Sequence, residues 1–89
     1  MFPQDAVTIE GVAVEYESSP GTSRRFCGTC GTGLFYVNET IFPGMVDIQS
    51  ATLDEPDMMP AQARIQLADA PAWMKGYADL VPFERFPEI

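Results

Sequence analysis

Apolar and polar residues alternate with a period of two through the first half of the chain. Ala6 to Glu10 is a short alternating segment rich in β-branched residues, interrupted at Gly11. Alternation resumes from Val12 to Tyr16 and places Val12, Val14 and Tyr16 on one face. A period of two belongs to half-buried strands, so both pieces predict strands. Ser18-Ser19-Pro20-Gly21 predicts a turn, because proline presets one dihedral and glycine permits the left-handed region. Ser23 to Cys27 then predicts a strand returning in a hairpin. Leu34 to Val37 predicts a strongly apolar strand beyond a glycine-rich turn. Pro43-Gly44 marks another turn. Met45 to Gln49 predicts a strand with Met45, Asp47 and Gln49 on one face and Val46 and Ile48 on the other.

The second half is less regular. Asp54-Glu55-Pro56-Asp57 reads as a solvated acidic loop or a single helical turn. A calcium loop needs about six patterned oxygen ligands and a glycine at its turn, which Pro56 and the missing pattern oppose. Arg64 to Leu67 predicts a final short strand. Pro71 near the start and Gly76 near the end of Ala70 to Tyr77 predict a short helix. Pro82 and Pro87 make the tail irregular, and Val81, Phe83 and Phe86 are expected to pack partly on the sheet. Trp73, Tyr77 and Phe83 read as core or core rim. Met58-Met59 reads as filler of a core gap.

The length of 89 residues predicts one domain spanning 1–89, whose core alone gives marginal stability. The two cysteines are the covalent or metal-binding reinforcement that this composition offers. A net charge of −8 repels phosphate backbones. Arg24 and Arg25 are adjacent cations but no basic stripe, so neither nucleic acid nor an anionic membrane is an expected partner. No stretch approaches the ~20 apolar residues of a membrane span. No secretory leader is visible at Met1 to Asp5. A cytoplasmic location with reduced thiols is the expectation.

Cys27-Gly28-Thr29-Cys30-Gly31-Thr32-Gly33 carries the candidate chemistry. Two intervening residues let both sulfurs point into one turn. Gly28 relieves crowding, and Gly31 lets the chain reverse and bring backbone N–H groups toward the sulfurs. That arrangement suits tetrahedral zinc, which takes cysteine thiolates at ~2.3 Å. Arg24 and Arg25 stand just upstream, where cations favour thiolates. A redox dithiol is a competing reading, but that motif normally opens a helix in a βαβ unit, and here a strand follows. A structural disulfide is disfavoured by the expected compartment, and inert packing by the flanking glycines. Structural zinc takes about four ligands. Cys27 and Cys30 therefore predict a half-site, since the chain has no histidine and no third cysteine.

The run Arg25-Phe26-Cys27-Gly28-Thr29-Cys30-Gly31-Thr32, with Ser18 to Gly21 before it and Leu34-Phe35-Tyr36 after it, resembles the glutathione-dependent formaldehyde-activating family, which includes centromere protein V-like domains. Val46-Asp47, Leu53 to Pro56 and Trp73 extend the resemblance, which covers the family's C-terminal two-thirds. It implies a mainly β fold of twisted antiparallel sheets with zinc knuckles, here truncated at the N-terminus. It implies a structural zinc joining an N-terminal C-x-C pair to the late C-x-x-C pair, matched by Cys27 and Cys30. It also implies an active-site zinc on a separate cysteine cluster, for which this chain has no counterpart. Where the family carries a histidine near the late strand, Arg64 stands. The implied activity is carbon–sulfur lyase chemistry on S-hydroxymethylglutathione-type adducts, with glutathione as the small thiol. This chain alone is not expected to catalyse it. The other reading is a non-catalytic zinc-binding β domain or interaction module. Leu34 to Val37 is apolar on both faces, so exposed apolar surface and a homodimer are also expected.

Overall fold

The computed structural model describes residues 1–87. Five strands form one antiparallel sheet in the order β1-β5-β4-β3-β2. They are β1 (Phe2–Pro3), β2 (Val14–Ser19), β3 (Thr22–Phe26), β4 (Gly33–Asn38) and β5 (Met45–Ile48). The mainly β expectation holds, and the β2–β3 and β3–β4 hairpins fall where the alternation and turn residues place them.

Each turn has a local cause. Gly21 closes the β2–β3 hairpin at φ 78°, and Gly44 turns the chain into β5 at φ 73°, both in the region that residues with a Cβ avoid. Asn38 ends β4. Its Oδ1 accepts the backbone N–H groups of Thr40 and Ile41, both at 3.0 Å, and its Nδ2 donates to Thr22 Oγ1 at 3.0 Å. Thr22 and Asn38 are opposed in register and both buried, so each satisfies the other where water does not reach.

The two faces differ in cover. Glu15, Arg25, Phe35 and Ile48 lie in one register row across the strands. On that face Val7 and Ile9 of the segment after β1 approach Phe35, Val37 and Val46 around a cavity of about 120 Å³. Val46, 4% exposed, is the buried apolar side chain of the described residues. The opposite row runs Tyr16, Arg24, Tyr36, Asp47. There the Arg24 guanidinium stands 5.0 Å from the Tyr36 ring centroid, and Arg24 Nε donates to Ser18 Oγ at 3.0 Å.

Several expected elements are not formed. Residues 7–10 are irregular rather than a strand, and the extended start of β2 is Val14, leaving Val12 fully exposed. Instead β1 pairs with β5 through Phe2↔Val46, and Val7 and Ile9 serve as cover for the sheet rather than as ladder residues. Arg64 to Gln66 has no strand partner; Gln66 adopts φ 60° and leads into a 3-10 turn over Leu67–Asp69. The expected helix over Ala70 to Tyr77 is a 3-10 segment, Ala72–Asp79, broken at Gly76. The expectation of buried aromatics fails. Trp73 and Tyr77 are each 63% exposed, Phe83 60% and Phe86 85%. Met58 and Met59 are exposed too and fill no core gap. The radius of gyration is 16.1 Å, against about 12 Å for a compact domain of this length. The second half of the chain thus runs beside the sheet without closing over it.

Candidate metal centre

Cys27 follows the last residue of β3 and Cys30 stands three positions on, so the turn joining β3 to β4 presents both thiols at one end of the sheet. Backbone bonds fix that turn. Cys27 N–H donates to the Thr32 carbonyl at 2.9 Å, and Gly31 N–H donates to the Cys27 carbonyl at 2.8 Å. Gly31 sits at φ 80°, the reversal that its position after Cys30 predicts. A Cβ on Gly28 would lie 3.0 Å from Val14 Cγ2, so the first glycine of the motif admits the neighbouring strand. Val14 is a contact the motif itself does not announce, although the hairpin register that sets Val14 opposite Phe26 carries it there.

Both cysteines are free thiols; Cys27 is half-buried and Cys30 exposed. The backbone N–H of Cys30, and then that of Thr29, point at the Cys27 sulfur and hold its thiol below the usual range. The fields invoked for Arg24 and Arg25 are not the cause. Arg24 is engaged with Tyr36 and Ser18, and Arg25 stands opposite Glu15 and Phe35 in register. Cys30 Sγ and Thr32 Oγ1 are 3.0 Å apart, a contact in which either atom is able to donate. Thr32, two residues after the second cysteine, is a contact that the cysteine spacing does not announce.

The donor chemistry fits half of a tetrahedral zinc site. Two soft thiols on a short turn, one of them with backbone N–H groups directed at its sulfur, are what a zinc knuckle provides. They do not fit a whole site. No group of three or more His, Cys, Asp or Glu side chains able to hold an ion occurs among the described residues. Arg64, which stands where the resemblance leads one to look for a histidine, is neither a metal ligand nor near this turn in the ladder; it borders a separate surface hollow beside Leu67 and Tyr77. No helix among the described residues is long and apolar enough to cross a membrane.

A model of the family described as glutathione-dependent formaldehyde-activating enzyme matches residues 1–69. The matched span takes in the whole sheet and the Cys27–Cys30 turn, whereas Trp73, included in the resemblance on sequence, lies beyond it. Neither the curated proteins nor the solved structures compared with the chain give a significant match. With more than half of its length matched, the chain belongs to the glutathione-dependent formaldehyde-activating enzyme family.

Proposed function

We propose that this chain is a zinc-knuckle β domain of its family, in which Cys27 and Cys30 supply two of the thiolates of a structural zinc site. Chemistry on S-hydroxymethylglutathione-type adducts then needs zinc ligands beyond those of these 89 residues. The observation that carries the reading is the paired presentation of the two thiols on one hydrogen-bonded turn, with no third ligating side chain beside them among the described residues. The family reaction joins the glutathione sulfur to the formaldehyde carbon while the carbonyl oxygen takes up a proton. A Lewis-acid zinc for that step requires about three protein ligands and one open position. Two thiols supply half of a knuckle and do not reach that number.

The test has two arms. Purified chain is assayed for S-hydroxymethylglutathione formation against the uncatalysed background, and its zinc content is measured after desalting. A background rate, with zinc held through two thiolates alone and so more weakly than in a four-ligand site, is the expected result. Chain-dependent acceleration that survives desalting refutes the catalytic half of the reading, and absence of zinc binding refutes the metal half.

A second reading, an interaction module, draws on the exposed apolar residues of the second half, including Met58 at 74%, Ile65 at 80% and Phe86 at 85% exposure. It predicts the same background rate and differs in requiring no metal.

A further inference from the structure

We infer that this chain binds an aliphatic monocarboxylate of medium length, with its carboxylate on Arg25 and its tail between the sheet and the segment after β1. The inference is independent of the zinc reading and begins from a cation without a partner. Among the described residues the ion pair joins the Met1 amino group to Asp47, and the arginine side-chain hydrogen bond runs from Arg24 Nε to Ser18 Oγ. Arg25 has neither. Glu15, its register partner, accepts from Ser23 Oγ at 2.5 Å instead. No buried side-chain nitrogen or oxygen lacks a hydrogen-bond partner among the described residues. The guanidinium nitrogens of Arg25, which have none, are therefore not buried, and a ligand reaches them from water.

Arg25 also borders an apolar hollow. With Val7, Ile9, Phe35, Val37 and Val46 it lines the cavity of about 120 Å³. The other polar side chain there, Gln4, is committed through Nε2 to Glu39 and to the Met45 carbonyl. A second hollow, of about 280 Å³, shares Val7, Ile9 and Phe35 with the first and extends to Leu34 and Ile48. The register explains this continuity. Arg25, Phe35 and Ile48 are aligned across β3, β4 and β5, so one row leads from a cation to apolar side chains. Neighbouring strands lie about 4.8 Å apart, so that row is about 10 Å long, the reach of an extended chain of about eight carbons.

The chemistry of the walls selects the ligand. A guanidinium matches a carboxylate with two parallel N–H···O bonds. A phosphate needs further donors, and Arg24, the neighbouring cation, stands on the opposite face with Tyr36. Glu10 borders the second hollow, so the anionic end of a ligand belongs at Arg25 and the apolar end beyond Phe35. The net charge of −8 disfavours any small anion held by one arginine alone. Burial of the tail supplies the rest, at about fourfold in affinity for each methylene covered.

The test titrates the full chain with octanoate and follows backbone and methyl NMR shifts. The expected result is saturable binding with shifts concentrated at Val7, Ile9 and Val46. Hexanoate, two methylenes shorter, should bind about 15-fold more weakly. 1-Octanol carries the same tail without the charge and should bind at least about tenfold more weakly than octanoate. Arg25→Met keeps an apolar stem and removes the charge. It should weaken octanoate by a similar factor and leave 1-octanol unchanged, whereas Arg25→Lys should recover part of the loss. Ile9→Ser, at a position 43% exposed, should weaken both ligands. Circular dichroism checks that each variant keeps the sheet. If Arg25→Met does not fold, the comparison of octanoate with 1-octanol on the parent chain decides alone. Absence of saturable binding, or equal affinity for the two ligands, overturns the site. Unchanged octanoate affinity in Arg25→Met also overturns it, by showing that Arg25 lends only its methylene stem to the wall. Shifts confined to the exposed residues after Met58 place the tail elsewhere and overturn it as well. None of these outcomes bears on zinc binding by the cysteines.

Discussion

Gln4 Nε2 donates to Glu39 Oε1 at 2.6 Å and ties the segment after β1 to the turn between β4 and β5. The same Gln4 side chain donates to the Met45 carbonyl at 3.1 Å, and its backbone N–H donates to the Gly44 carbonyl at 2.8 Å. The other Glu39 oxygen accepts the Gly44 N–H at 2.9 Å. This clamp lies at the opposite end of β4 from the cysteines. It seats the short strand β1 on β5 and so positions Val7 and Ile9 over Val46.

The Gly44 N–H, and then Gln4, hold the Glu39 carboxyl below the usual carboxylate range. A depressed carboxylate contributes stability that is fully present above its unfolded pKa and is lost as pH falls through its folded pKa. Glu39→Gln keeps an acceptor but removes the charge. The variant should therefore be less stable than the parent at neutral pH. The gap should narrow as pH falls through the acid range and close once Glu39 is protonated in the folded parent. Urea midpoints at a series of pH values measure it, and a pH-independent gap contradicts the clamp.

Asn38 closes one end of the β3–β4 ladder with three hydrogen bonds, one of them to buried Thr22. Net contributions near 1 kcal/mol each, with the penalty of an unpartnered Thr22 hydroxyl, give about 2–4 kcal/mol for Asn38→Ala. Asn38→Asp keeps the acceptor toward Thr40 and Ile41 and should recover part of that loss. Equal denaturant midpoints for the two variants go against this division of roles.

The glycines of the knuckle are not equivalent. Gly31 has open space around it but a φ of 80°, so Gly31→Ala is strained by backbone conformation, costing about 1–2 kcal/mol. Gly28 has no such φ; its constraint is the Val14 methyl at 3.0 Å from a built Cβ. Gly28→Ala should cost less than Gly31→Ala, and Val14→Ala should relieve it, because Val14 is half in solvent. A double-mutant cycle in thermal or denaturant unfolding reads the coupling. Strong coupling of Val14 to Gly31 and none to Gly28 inverts the expectation.

The strands from Val14 to Ile48 were legible because three signals agree there: period-two alternation, turn residues at Pro20-Gly21 and Pro43-Gly44, and the glycine-rich cysteine turn. Residues 7–10 misled because β-branched alternation also suits a segment laid over a sheet, where Val7 and Ile9 face apolar neighbours without joining a ladder. Strand β1 left no signal, since it is two residues long and contains Pro3. At the cysteines the spacing carried the pairing of two thiols on one turn. It did not carry Val14 or Thr32, whose contacts depend on hairpin register and side-chain rotamer. The aromatic residues after Ala70 suit a core by type, but burial requires a surface to cover them, and the described residues bring none.

That exposure gives a direct spectroscopic test. Trp73 is the single tryptophan, so its fluorescence reports one site. At 63% exposure its indole is largely in water, within a 3-10 segment whose residues are all classed as exposed. Its emission should lie near that of a solvated indole, respond strongly to a soluble quencher, and shift little when the sheet is unfolded by urea. The far-ultraviolet signal of the sheet should lose its amplitude over the same titration. Zinc should leave the emission unchanged, because the two thiols lie on the turn between β3 and β4 and not on the segment after Ala70. A blue-shifted, quencher-resistant emission in the zinc-free chain places Trp73 against apolar surface and contradicts the open second half. A blue shift that appears only as zinc is added contradicts the separation of this segment from the cysteine turn.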